Sequence, residues 1–304
     1  MMKKNLIVYH RVDYDGIFSC GISKQYYETV KELSVDIQGH NYNDEPLNIP
    51  QLLDRYATIT LVDISLPPDQ MIELKDSSRA VWIDHHVTAI NDSIKFGYNN
   101  MPGLREIGTA ACELCWRFYW RTPVPPPIIQ ILGSYDVWDK TRFDWEEIVL
   151  PLQFGLKTRY GIRIKDILND WDYLLREDNY KDVLDDGYAV YSFLKDNWKS
   201  WVKNCAFEVT VAGKYRGICL LSPMFGSSSF ESINDKYEIY IVANVRTNGT
   251  TYSLSMYKES AEMAPEFSCG EYMKQFGGGG HATAASSGAL TKEHFEKLVF
   301  NHEI

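Results

Sequence analysis

The chain has 304 residues, 45% hydrophobic and 24% charged, which indicates a soluble globular protein with core enough for two ordinary domains. Its net charge of −10 argues against a protein that coats long nucleic acid by counterion release. A short phosphorylated ligand is still compatible with that charge, at a site that metal ions make positive.

No apolar run approaches the roughly 20 residues that span a bilayer. The start, MMKKNLIVYHRVDYDG, has no apolar h-region and no small-residue cleavage site. Cys20, Cys112, Cys115, Cys205, Cys219 and Cys269 are scattered, as reduced thiols are, and form no disulfide framework. A cytoplasmic protein with no membrane partner is expected.

NLIVY (5–9) is a short apolar run between polar residues, the pattern of a buried strand. A helix is expected from Gly16 to about Val30, and a second strand at VDIQGH (35–40). Further buried strands are expected at ATITLVD (57–63) and RAVWIDHH (79–86). PPDQMIELKD (67–76), with prolines at its start, supplies a helix between them. Such alternation implies a doubly wound, mostly parallel α/β sheet, which binds ligands beyond the carboxyl ends of its strands. GTAACELCWRFYW (108–120) reads as a helix, TPVPPP (122–127) breaks the chain, and IIQILGSYDVWD (128–139) resumes as a helix. Amphipathic helices dominate from about 163 to 204. Strand composition then returns in AFEVTVAG, YRGICLLS and YEIYIVANVRTNGTTYSLSMYK, where Asn248-Gly249 marks a hairpin. The expected division is a catalytic domain over 1–178, a helical linker over 179–205, and a smaller α/β domain with a mixed sheet over 206–304.

Potential metal ligands close three strand ends of the first domain. His10, Asp13 and Asp15 follow strand one, Asp63 ends strand three, and Asp84, His85 and His86 end strand four; Asp136 lies on a later helix. Carboxylates with a few imidazoles suit Mn²⁺ best, with Mg²⁺ or Co²⁺ as alternatives. Several carboxylates together call for more than one cation. Two ions about 3.5–4 Å apart that share a carboxylate are the usual device for phosphoester hydrolysis. The plainer reading of a single strand-end Asp is a helix N-cap, and it weakens when such residues recur at successive strand ends of one sheet. Cys112 and Cys115 have metal-pair spacing without a second pair and read as packing. Trp82, Trp116 and Trp138 have the ring for base stacking, although tryptophans so placed mostly serve the core.

HRVDYDG, the Asp63 strand, IDHHVTA and SYDVWD resemble the four motifs of the DHH phosphoesterase superfamily. FGGGGHATAASSG (276–288) resembles the glycine-rich motif of its DHHA1 substrate-binding domain. GTAACELCW is similar to a segment found in the nanoRNase-like and oligoribonuclease-B-like members, which the chain is expected to resemble most. The resemblance implies that His10 and Asp13 hold one Mn²⁺, that Asp15, His85 and Asp136 hold the other, and that Asp63 bridges them. A hydroxide activated by the two ions would attack phosphorus, His86 would contact the substrate phosphate, and Asp84 would orient a neighbouring His through its ring N–H. Gly277, Gly278, Gly279 and Gly280 would let backbone N–H groups approach a terminal phosphate or base, with His281 donating to that phosphate. Relatives carry an Arg on the preceding strand; here Arg246, Lys258 and Tyr257 are the candidates.

The implied activity is Mn²⁺-dependent hydrolysis of small nucleotides, first of all short oligoribonucleotides cleaved to mononucleotides. The alternatives are a 3′-phosphoadenosine 5′-phosphate phosphatase, a cyclic- or linear-dinucleotide phosphodiesterase, and a non-catalytic nucleotide sensor. The net charge and length argue against an exonuclease that threads long single-stranded DNA. A homodimer and a short RNA or nucleotide partner are expected.

Overall fold

A computed structural model describes residues 3–120, 124–222, 226–233, 236–246 and 249–300. The chain divides into two compact units between Tyr191 and Ser192.

In the first unit the apolar run at the start forms β1 (Asn5–His10), buried along its whole length. It is followed by α1 (Tyr14–Gln25), which ends in a π-helical turn at Tyr26–Val30. Next come β2 (Val35–His40), α2 (Ile49–Arg55), β3 (Ile59–Val62), α3 (Pro68–Asp76), β4 (Ala80–Ile83) and α4 (Val87–Phe96). Beyond the sheet lie α5 (Ala111–Tyr119), α6 (Pro127–Asp136), α7 (Leu150–Arg159), α8 (Ile164–Asn169), α9 (Trp171–Leu174) and α10 (Tyr180–Cys205), the last continuing into the second unit. The break expected at 122–127 falls partly on residues 121–123, outside the described residues.

The strands lie in the order β2-β1-β3-β4, all parallel. Side chains alternate across the sheet. Leu6, Val8, Ile59, Leu61 and Trp82 face one core, which α2, α3 and α4 cover with Ile49, Met71, Leu74 and Ala89. On the other face α1, buried from Tyr14 to Ser23, packs against β1 and α5. The architecture is therefore a doubly wound α/β sheet. β1 has β2 on one side and β3 on the other, so the winding reverses between β1 and β3. Such a switch point opens a crevice at the carboxyl ends of its two strands.

The second unit is a mixed sheet in the order β5-β6-β7-β8-β10-β9. Its strands are β5 (Ala206–Val211), β6 (Tyr215–Leu221), β7 (Ile239–Val245), β8 (Tyr252–Tyr257), β9 (Gly279–Gly280) and β10 (Ala284–Ser286). β6 and β7 pair in parallel, and the other pairs are antiparallel. β7 and β8 form the expected hairpin, although Thr247 and Asn248 of its turn lie outside the described residues. One sheet face packs Ile239, Ile241, Leu254 and Met256 against α11 (Cys269–Lys274) and α12 (Lys292–Phe300). The other packs Ile218, Leu220 and Val242 against Phe230 and Tyr237. Among the described residues no helix is long and apolar enough to cross a membrane.

Candidate metal centre

β1 ends at His10, and the chain turns almost at once into α1. Asp13 is the N-cap of that helix, its carboxylate accepting from the Gly16 N–H at 3.0 Å. The turn needs glycine at 16: a Cβ there would lie 2.1 Å from the His10 carbonyl oxygen. This tight reversal sets Asp13 Oδ2 2.7 Å from His10 Nδ1.

Asp63 is the first residue after β3 and has left-handed backbone, φ 58°. Aspartate tolerates that region better than bulky residues do, but at some cost in strain. Its Oδ2 lies 3.5 Å from His10 Nδ1, and its Oδ1 lies 3.3 Å from His85 Nε2. His85 Nε2 also faces Asp15 Oδ2 at 3.4 Å and Asp136 Oδ2 at 3.2 Å. The side chains thus converge as two donor sets, His10-Asp13-Asp63 and Asp15-Asp63-His85, with Asp63 in both. Asp136, the last residue of α6, joins the second set through His85.

Two carboxylates have further partners. Asp15 accepts from the N–H groups of Ala111 at 2.8 Å and Cys112 at 2.6 Å, so the N-terminus of α5 holds its charge. Asp84, fully buried, accepts from Trp82 Nε1 at 3.1 Å and from the N–H groups of His85 and His86. Its Oδ1 also lies 2.7 Å from His86 Nδ1. Asp84 is therefore placed to fix the His86 ring.

The donor set fits divalent cations. His10 Nδ1, both Asp63 oxygens and Asp136 Oδ2 are buried without a hydrogen bond, although each has neighbours within 3.5 Å. Buried polar atoms are rarely left so. Lone pairs aimed at a common point produce this pattern, and a cation at that point satisfies it.

The electrostatics agree. Burial pushes the Asp15 carboxyl well up, and the charges of Asp63 and Asp136 add to it. Burial also raises Asp136, to about 6, against the pull of His85. For Asp63 burial works upward too, but His10, His85 and His86 outweigh it and hold the group below the ordinary carboxylate range. Burial opposes the His10 imidazolium, yet Asp13 and Asp63 raise it to about 11. His85 is raised in the same way, burial being overcome by Asp136, Asp63 and Asp15.

In the second unit the candidate substrate-binding residues have partners of their own. The N–H groups of Gly277 and Gly278 cap α11, donating to the Lys274 and Met273 carbonyls at 3.0 Å. A Cβ on Gly278 would lie 1.9 Å from the Ser286 carbonyl oxygen, and Gly280 has φ 143°. Close packing within the unit explains both glycines. Gly279 has nothing within 4 Å of a Cβ, so the fold alone does not require it. His281 donates its N–H to the Ala284 carbonyl at 2.7 Å.

Lys258 has internal partners as well. It is 3% exposed, and its Nζ donates to the carbonyls of Phe267 at 2.6 Å and Ala264 at 3.2 Å. It ties down the loop after β8. Replacing Lys258 by methionine should strand those carbonyls and cost about 1–3 kcal/mol, read as a lower melting temperature with unchanged nucleotide affinity. A selective loss of affinity would keep Lys258 among the binding residues. Arg246 is partly exposed, with one guanidinium nitrogen 3.3 Å from the Ser287 carbonyl oxygen. Trp82 is fully buried core, and Trp116 stacks on Trp120 and Trp138 packs on Trp145.

One residue beside the centre escaped the sequence reading. Tyr42 sits just past β2, its ring 5.6 Å from that of His10 and 6.1 Å from that of His86. The available signal was positional: NYND follows the one strand end of this sheet to which no ligand had been assigned.

No family model matches the sequence, and no curated protein is significantly similar to it. Solved structures share its fold. A pGpG-specific phosphodiesterase, PggH from Vibrio cholerae, is similar with TM-score 0.52 and 14% identity, over 98% of this chain and 97% of that one. The DHH domain of a member of the s1p family of ribosomal proteins has TM-score 0.57 and 13% identity, over 99% and 88%. RecJ from Thermus thermophilus, in complex with Mn²⁺, has TM-score 0.54 and 14% identity over 99% of this chain but 53% of RecJ, so the chain spans about half of that protein. At these identities the likeness is one of fold, a parallel α/β sheet with a separate mixed sheet.

Proposed function

We propose that this chain is a divalent-cation-dependent phosphodiesterase of the DHH superfamily, with a DHHA1-type second domain, acting on small nucleotides. The observation that carries the reading is the pair of donor sets sharing Asp63 at the switch point, with buried oxygens of Asp63 and Asp136 left unbonded. The fold likeness to PggH, a pGpG-specific phosphodiesterase, and to RecJ in complex with Mn²⁺ supports it.

His10 and Asp13 would hold one ion, Asp15, His85 and Asp136 the other, and Asp63 both. Bound there, two ions would offset the charge of a phosphodiester and make a shared water acidic enough to act as the nucleophile. The chain's own residues do the rest. Asp84 binds His86 through Nδ1, which turns the opposite nitrogen toward the place of a phosphate oxygen. The helix amides at Ala111 and Cys112 keep Asp15 in register. Short oligoribonucleotides are the favoured substrates. A linear dinucleotide follows, on the likeness to PggH, and 3′-phosphoadenosine 5′-phosphate is the third.

The purified protein with Mn²⁺ should release mononucleotides from a labelled dinucleotide, and chelation should abolish release. Absence of release from every one of these substrates, with ions bound, would leave the sensor reading in its place. The pH dependence has a definite sign. Raised groups such as His10 and Asp136 hold protons in the metal-free protein, and ions must displace them, so binding tightens as pH rises from about 6 to about 8. Calorimetry in buffers of differing ionisation enthalpy should show net proton release; net uptake would contradict the assignment.

A further inference from the structure

We infer that Tyr42 is the base platform of this site, a specificity-determining residue on which the nucleobase attached to the reacting phosphate stacks. The inference rests on the proposed nucleotide phosphodiesterase activity and adds to it the group that recognises the base.

Large aromatic rings in this unit are mostly buried, yet Tyr42 is 52% exposed beside His10 and His86. Its ring is inclined at 57° to that of His10 and at 74° to that of His86. Neither imidazole stacks flat on it, and the residue keeps half its surface toward solvent. The ring stands 5.6 Å from His10 and 6.1 Å from His86, the reach of a base joined through one ribose to a phosphate held between those residues. Each base has a π-face, so stacking tolerates any sequence, as a small-nucleotide hydrolase requires.

The ring is also held in place before any ligand arrives. Asn41 and Asp44 close a tight turn, with the Asn41 N–H donating to Asp44 Oδ2 and the Asp44 N–H to the Asn41 carbonyl, both at 2.9 Å. The Tyr42 N–H donates to Asn41 Oδ1 at 2.8 Å. Arg11, the neighbour of His10, donates to Asp44 and ties the turn to β1. At the other end, the Tyr42 hydroxyl lies beside Ser65, two residues past Asp63. The platform is thus fastened to the strand ends that carry His10 and Asp63. A preorganised aromatic ring binds at little entropic cost.

The test compares wild type, Tyr42→Ala and Tyr42→Trp, all loaded with Mn²⁺, on a dinucleotide and on the same phosphodiester lacking the base. Tyr42→Ala should raise KM for the dinucleotide about tenfold or more, with an unchanged Mn²⁺ stoichiometry and unchanged kinetics on the abasic substrate. Tyr42→Trp should restore KM. An equal loss on both substrates would make the ring a prop for His10 and His86 and overturn the inference, as would an unchanged KM. If wild type cleaves neither substrate, the phosphodiesterase reading itself falls, and the platform with it.

Discussion

Replacing Asp63 by asparagine is expected to lower kcat/KM at least about a thousandfold, equivalent to about 4 kcal/mol of transition-state stabilisation, while the protein still folds. Asparagine keeps the size of the side chain and tolerates the left-handed φ of 58°. It lacks the charge, and it places amide protons where one of two ions would sit. Because both donor sets run through this residue, a single change weakens both. Ligation also stabilises the folded state by mass action, so Mn²⁺ should raise the melting temperature of wild type and not of the variant. Full turnover by Asp63→Asn, or an unaltered count of two bound Mn²⁺, would remove Asp63 from the shared position.

The second large effect separates packing from recognition in the glycine run. Gly278→Ala drives a methyl group into the Ser286 carbonyl, 1.9 Å from the Cβ position, and should destabilise the second unit by about 1–3 kcal/mol. Gly279→Ala meets nothing within 4 Å and should stay within about 0.5 kcal/mol. Because the chain has two units, a single melting curve mixes two transitions. Hydrogen exchange of the β10 amides in the full-length protein reports on the right one. Equal protection in both variants would mean that Gly278 is not kept for packing. A loss of nucleotide affinity confined to Gly279→Ala would identify the position at which a ligand approaches the backbone.

The centre of the first sheet was legible because β1 and β3 are buried along their whole length and read as unbroken apolar runs. The candidate ligands near their ends were legible because polar clusters follow such runs directly. The strands proved shorter than the runs suggested: β3 ends at Val62 and β4 at Ile83. Asp63 and the Asp84-His85-His86 triplet therefore lie just past the strands, although the Asp63 N–H still donates to the Ile83 carbonyl and Asp84 forms an isolated parallel bridge with Arg105. What stayed hidden depends on tertiary contacts. No local pattern says that the Asp15 carboxylate will be caught by α5, or that the loop after β8 will fold back over Lys258 and bury it. A run of glycines reads the same whether a ligand or a carbonyl occupies the space beside it. Tyr42 lies in a turn without periodicity, and only the sheet order shows what stands next to it.

The bonds from Asp15 to Ala111 and Cys112 join residues 96 and 97 positions apart. During synthesis, therefore, a nascent chain that has emerged only as far as β4 owns most of the coordinating side chains but not the helix that steadies one of them, nor Asp136. Its carboxylates would repel one another across an unfinished crevice. Any cation held by this cluster would therefore find its full donor set only once α5 and α6 have packed onto the sheet.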